Sequence, residues 1–153
     1  MKDNIKATGK VHLILTGPDG KIKQEQKVKN LVVEDGLEYI SSRMKDATVT
    51  AMSHMAVGTS STTPAADNAV ITSEVTALRA ALTSTVVSGS KVTYTALFAD
   101  HSGTNSNAYA LKNAGILNAP SGGVLLAHTT FDVITKAPLD TLTITWAVDL
   151  ADT

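Results

Sequence analysis

The sequence predicts a mainly β chain, a β-sandwich or jelly roll with one or two short helices. Three observations predict it. From residue 81 onward apolar and polar residues alternate with a period of two, as in half-buried strands. Turn residues punctuate these runs at short intervals, among them Pro18-Asp19-Gly20, Ser88-Gly89-Ser90 and Pro120-Ser121-Gly122-Gly123. Thr recurs on the polar side of the alternation, where a β-branched hydroxyl residue suits a half-solvated strand. Seven to nine short strands separated by turns point to two packed sheets.

Taken in order, residues 1–10 are too polar for a core and read as an N-terminal arm. Residues 11–153 then form a single β-rich domain, with a hairpin over 11–30 and the main strands over 81–150. "VHLIL" and "KIKQEQKV" flank the turn: Pro18 fixes one dihedral and Gly20 accepts a positive one. In the second strand Ile22, Gln24, Gln26 and Val28 share one face, and Lys21, Lys23, Glu25 and Lys27 share the other. So polar a strand suits a sheet edge.

In "EDGLEYISSRM", Asp35 and Glu38 stand at capping-box spacing. Leu37, Ile40 and Met44 recur at helical spacing, with Arg43 in the last turn. "AMSHMAV" reads as a strand, and Gly58 opens a loop rich in Ser and Thr. Asp67 or Asn68 is placed to cap a second short helix carrying Val70, Ile71, Val75 and Leu78. "ALTSTVV" and "KVTYTALF" form a hairpin around Gly89, with Val92, Tyr94, Ala96 and Phe98 on one face. "YALKNAGILNA" and "GVLLAHTTF" are a further strand pair. "TLTITWAVDL" closes the chain with Leu142, Ile144, Trp146, Val148 and Leu150 on one face. Trp146 therefore reads as core, where large aromatics contribute most.

Composition excludes several function classes. The formal net charge is −1, and cationic residues gather only around Lys21, Lys23, Lys27 and Lys29. That argues against a nucleic-acid partner, which needs many phosphate contacts, and against a polybasic membrane anchor. There is no Cys, which excludes disulfides, thiolate metal sites and thiol catalysis. No apolar run approaches the roughly 20 residues that span a bilayer, and the first residues, which lack an apolar stretch, are not expected to act as a secretory signal.

The candidate sites are weak as chemistry. "GTSSTTP" lacks the second Gly and the Lys of a phosphate loop. His12, His54, His101 and His128 are isolated from one another and from carboxylate-rich motifs, so one chain is not expected to bind a metal. No Gly-x-Ser-x-Gly elbow marks a nucleophile. Glu34 and Asp35 are adjacent, and neighbours on a helix point to different sides. No cofactor is expected, and the chain is not expected to be an enzyme.

Four segments carry a resemblance: "TGPDGKIKQEQKVKNLVVEDGLEYISSRM", "MSHMAVGTSSTTPAADNAVITSEV", "NAGILNAPSGGVLLAHTTF" and "TLTITWAVDL". In this order they resemble a family of small tailed-bacteriophage virion proteins of the capsid decoration, or cement, type. The relatives often carry Glu where this chain has Asn113, and Arg near the position of His128. The resemblance implies a structural protein on the virion surface, assembled in the host cytoplasm, that stabilises the head by bridging major capsid protein subunits. It implies a homo-oligomer, a trimer by analogy or else a dimer. A tail- or fibre-associated adaptor is the alternative, followed by a surface carbohydrate-binding module. The candidate partner contacts are Lys21, Lys23, Lys27 and Lys29 on the hairpin, and Thr59, Ser60, Ser61 and Thr62 in the loop. The arm and the hairpin are expected to extend over a neighbour, the hairpin by adding a strand to its sheet.

Overall fold

The structure is a computed structural model that describes residues 5–45 and 49–152. It is mainly β, with nine strands in one antiparallel sheet that curls almost into a closed barrel. The strands are β1 (Ile5–Thr16), β2 (Ile22–Lys29), β3 (Leu31–Val32), β4 (His54–Gly58), β5 (Ala80–Ser88), β6 (Lys91–Phe98), β7 (Tyr109–Leu117), β8 (Leu125–Lys136) and β9 (Thr141–Asp152). One helix, α1 (Glu34–Lys45), follows β3. The spatial order is β2-β1-β9-β6-β5-β4-β7-β8-β3.

Two places turn this ribbon into a sandwich-like shell. β5 pairs β6 along its length but β4 only at its start, so it joins the two halves at one corner. At the other corner β2 and β3 are one bent strand. Residues 22–29 pair β1, Asn30 marks the bend, and Leu31 and Val32 pair β8. Strands that switch sheets through a bend make such corners. The remaining seam, between β2 and β8, is closed by side chains. The Gln26 amide donates to the Asp132 carbonyl at 2.7 Å and accepts from the Asp132 N–H at 3.0 Å. Gln24 donates to the Val133 carbonyl, and the Thr129 hydroxyl donates to the Lys29 carbonyl. The inward face of the polar edge strand thus replaces a backbone ladder with amide groups.

The core fills the shell. Val11, Leu13 and Leu15 of β1, Tyr94 and Phe98 of β6, and Leu142, Ile144 and Trp146 of β9 face Met55, Ile116, Leu126 and Ile134 of the other half. Trp146 is fully buried, in keeping with its same-face neighbours. A second cluster, Val33, Ala56, Ile71, Leu117 and Leu125, lies under the crossover between β4 and β5. β4 from Met55 to Gly58, β7 from Asn113 to Leu117 and β8 from Leu125 to Thr129 are therefore buried on both faces, and they read as mostly apolar runs.

Three expectations are corrected. The arm is not free: from Ile5 onward it is strand, registered on β9 from Ile5 opposite Asp152. Residues 1–4 lie outside the described part. The first hairpin cannot add a strand to a partner, because β1 is paired on both sides and the outer edge of β2 meets β8. The second helix is only a 3-10 turn, Thr76–Leu78. Its backbone is engaged elsewhere: Gly58 bridges Glu74, Thr59 N–H donates to the Ser73 carbonyl, and Val75 N–H donates to the Val57 carbonyl.

α1 exists, but it sits differently from the spacing Leu37, Ile40, Met44. Leu37 and Met44 are exposed; Gly36 is buried, with Tyr39 and Ile40 half-buried beside the core. The helix lies so close to β8 that a Cβ on Gly36 would stand 2.0 Å from the Leu126 carbonyl oxygen. Only glycine allows that approach.

Candidate functional site

Three constellations of polar side chains are candidates, and they differ in what each leaves free.

The densest is internal. Lys136, at the end of β8, is fully buried. Its ammonium has three protons and three acceptors: the Asp140 carbonyl at 2.6 Å, the Ala99 carbonyl at 2.9 Å and His101 Nδ1 at 3.0 Å. The other His101 nitrogen, Nε2, donates to the Asn107 carbonyl, which fixes the neutral tautomer with Nδ1 as acceptor. Asp140 is 1% exposed; its carboxylate takes the Lys23 ammonium at 2.7 Å and the Ala137 N–H at 3.0 Å. Burial pushes Lys136 below the ordinary lysine range, opposed by the Asp140 and Asp100 carboxylates. Burial alone would raise Asp140. The hydrogen bonds from Lys23 and Ala137 and the charges of Lys23 and Lys136 outweigh it, so its carboxyl lies below the ordinary range. Each polar group of the cluster holds another, and the arrangement fastens the 99–107 loop to the 136–140 turn.

The second is the Ser/Thr loop after β4. Thr59, Ser61 and Thr62 are exposed and Ser60 is half-buried. Ser60 Oγ and Thr62 Oγ1 bond each other, and Ser60 Oγ also accepts the Thr62 N–H. Buried Asn113 donates to the Ser60 and Thr72 carbonyls. Asn68 Oδ1 accepts from Ala65 N–H and from His128 Nδ1, so Nδ1 carries the proton on that ring. His128 Nε2 is buried without a partner, and burial holds the ring below the ordinary histidine value. At the far end Arg79 grips both Glu74 carboxylate oxygens, at 2.6 and 2.7 Å, and the Ala119 and Gly122 carbonyls. Asn113 and His128 are thus two of the loop's fasteners.

The third is on the outside of the sheet. The register places Lys10 directly opposite Lys29, and His12 opposite Lys27, with all four on the outer face of β1 and β2. They line a surface cleft of about 360 Å³ with Thr145 and Ala147 of β9. His12 Nε2 meets Glu25 at 2.6 Å. Among the described residues Lys10, Lys27 and Lys29 have no carboxylate within ion-pair distance.

Of the sequence-predicted contacts, Lys27 and Lys29 belong to this face. Lys21 is exposed in the turn, where its N–H bonds the Asp19 carboxylate. Lys23 is engaged as counter-ion to Asp140. Thr59, Ser60, Ser61 and Thr62 lie apart from the lysines, on a loop held by β7, β8 and the start of α1, where the Glu34 N–H donates to the Ala66 carbonyl. Sequence reasoning missed Lys10 and His12. Their signal was available once the hairpin register is drawn, because residues 10 and 12 then fall on the same face as 27 and 29.

Among the described residues no three His, Asp or Glu side chains gather so as to hold a metal ion. Compared with family models, curated proteins and solved structures, the chain matches none of them.

Proposed function

We propose that this chain is a bacteriophage virion structural protein of the decoration type, which docks its basic β1–β2 face on the assembled head and bridges capsid subunits. One observation carries the reading. Lys10 and Lys29 are placed directly across a strand pair, with Lys27 beside them and no internal counter-ion among the described residues. Like charges opposite each other on antiparallel strands oppose folding. A surface that keeps them fits an acidic partner, which supplies the missing carboxylates. The sequence resemblance names the class of partner, a repeating protein shell. On such a lattice a modest contact per copy gains by avidity, and binding only the assembled state stabilises it by linkage. The fastened Ser/Thr loop supports the reading as a second, rigid polar surface.

Co-sedimentation with expanded empty heads tests it. Wild-type protein should bind, raise the melting temperature of the heads and lose affinity as salt rises. K10E/K29E should weaken binding at least about tenfold, equal to about 1.4 kcal/mol. Binding to isolated tails but not to heads, or equal binding by K10E/K29E, would refute the proposal.

A further inference from the structure

β5 is double-sided for only its first third. β4 opposes Ala80 and Ala81, and the Leu82 N–H adds one bond to the Ser53 carbonyl, whereas β6 continues alongside to Ser88. From Thr83 to Ser88 the edge away from β6 has no backbone partner among the described residues. The two-residue turn at Gly89, whose φ is 60°, makes Ser88 and Lys91 a hydrogen-bonded pair. Hydrogen-bonded pairs alternate along an antiparallel ladder. Thr85 and Val87 therefore aim their N–H and C=O groups at the open edge.

This edge lacks the devices that prevent pairing. "TSTVVS" has no charge and no Pro, and every residue in it is exposed, Val86 at 57% and Val87 at 69%. The edge of β2, by contrast, carries lysines outward and is covered by β8.

We propose that two copies of this chain pair antiparallel through β5, about a twofold axis at Val86, so that their sheets join into one. Two conditions select the register. Edge-pointing residues must oppose each other, which also keeps the inner faces on the same side, and of the registers that allow this the one centred on Val86 is the one that opposes β-branched residues on both faces. Thr85 then opposes Val87 of the partner subunit, and Val86 opposes the partner's Val86. β-branched residues, which favour the strand conformation, then meet on both faces. The occupant is a second copy because the strand is its own complement in this register, with no like charges brought together. A twofold contact also closes at two chains and leaves no second open edge at that site. The proposal concerns the isolated chain and stands independently of head binding.

The chain contains no cysteine, so a single introduced one is a clean probe. The Val86 pair is of the non-hydrogen-bonded kind, with Cα atoms about 4.5 Å apart, inside disulfide range. V86C should form a covalent dimer under mild oxidation, and S88C, whose counterpart across the axis is Ser84, should not. In analytical ultracentrifugation the wild type should be a dimer at about 100 µM, concentration being part of dimer stability. V86K, with unchanged circular dichroism, should raise the dissociation constant at least about tenfold. A wild-type monomer at that concentration would overturn the proposal. So would an oligomer indifferent to V86K, or equal cross-linking by V86C and S88C. Should V86K fail to fold, the cysteine pair decides alone.

Discussion

Replacing Lys136 by Met separates two opposing views of the buried cluster. Met fills nearly the same volume, so no cavity term enters. The change leaves His101 Nδ1 and the Ala99 and Asp140 carbonyls without their donor. Each buried acceptor left unsatisfied costs about 1–3 kcal/mol. Against this, removing an ammonium from the interior returns its desolvation penalty, the penalty that already depresses its pKa. Asp140 keeps Lys23 and the Ala137 N–H, so its carboxylate is not abandoned. The net loss expected is about 3 kcal/mol, the lower end for breaking a buried charged arrangement. For a chain of this length that lowers the melting temperature by about 6–12 °C. K23M leaves the buried Asp140 carboxylate with the Ala137 N–H as its one remaining hydrogen bond, and is expected to cost about 1–3 kcal/mol. Urea denaturation with scanning calorimetry measures both. A K136M protein as stable as wild type, or more stable, would show that desolvation outweighs the three hydrogen bonds and would refute this account.

Stability should fall as pH drops below about 6.5, because His128 is held neutral in the fold while the unfolded chain protonates, so the unfolded state binds more protons. Urea midpoints at pH 7 and pH 5 should show this fall in wild type and a smaller one in H128L. Below the ordinary carboxylate pKa the loss should continue until the lowered Asp140 carboxyl itself protonates, and D140N should flatten that limb. G36A should cost about 2–3 kcal/mol in the same assay, since its Cβ meets a backbone carbonyl. G115A should cost less, because the nearest atoms there are the movable ends of Ile71 and Leu125; equal losses would contradict this ranking. Q26A should open the β2–β8 seam at a cost of about 1–2 kcal/mol. Hydrogen exchange would register it as faster exchange of the Asp132 amide, whose acceptor is Gln26 Oε1.

The fold was legible in the sequence where one face of a strand is wet. β9 and β6 alternate cleanly, and the inward placement of Tyr94, Phe98 and Trp146 follows from that alternation alone. β4, β7 and β8 were legible as strands but not as a doubly buried layer, because a second cluster around Ile71 covers their outer side. The crossover expected to be a helix shows the limit of spacing arguments: Val70, Ile71, Val75 and Leu78 fit a helical period, but backbone pairing of Glu74 and Val75 to β4 interrupts that stretch and leaves only the 3-10 turn Thr76–Leu78. β3 is too short to leave a pattern. Half of the basic face was readable from the alternation of β2, and the other half needed the hairpin register. Lys136 had no local signal, since its partners come from the 99–107 loop and the following turn, and only the folded topology brings them together.

The distribution of charge ties the internal and external features together. Asp140, Glu74 and Arg79 are largely buried, are matched one to one with ions or dipoles, and hold loops in place. Lys10, Lys27 and Lys29 share one sheet face, while the first turn of α1 carries Glu34 and Asp35. A net charge of −1 therefore conceals a local excess of positive charge on that sheet face. A molecule charged in this way is steered and oriented by an external field rather than merely attracted to it. Orientation is what a module must achieve if it is to present the same face at every equivalent point of a repeating surface. Rigid loops serve the same end, because a contact patch ordered before binding loses less entropy on docking.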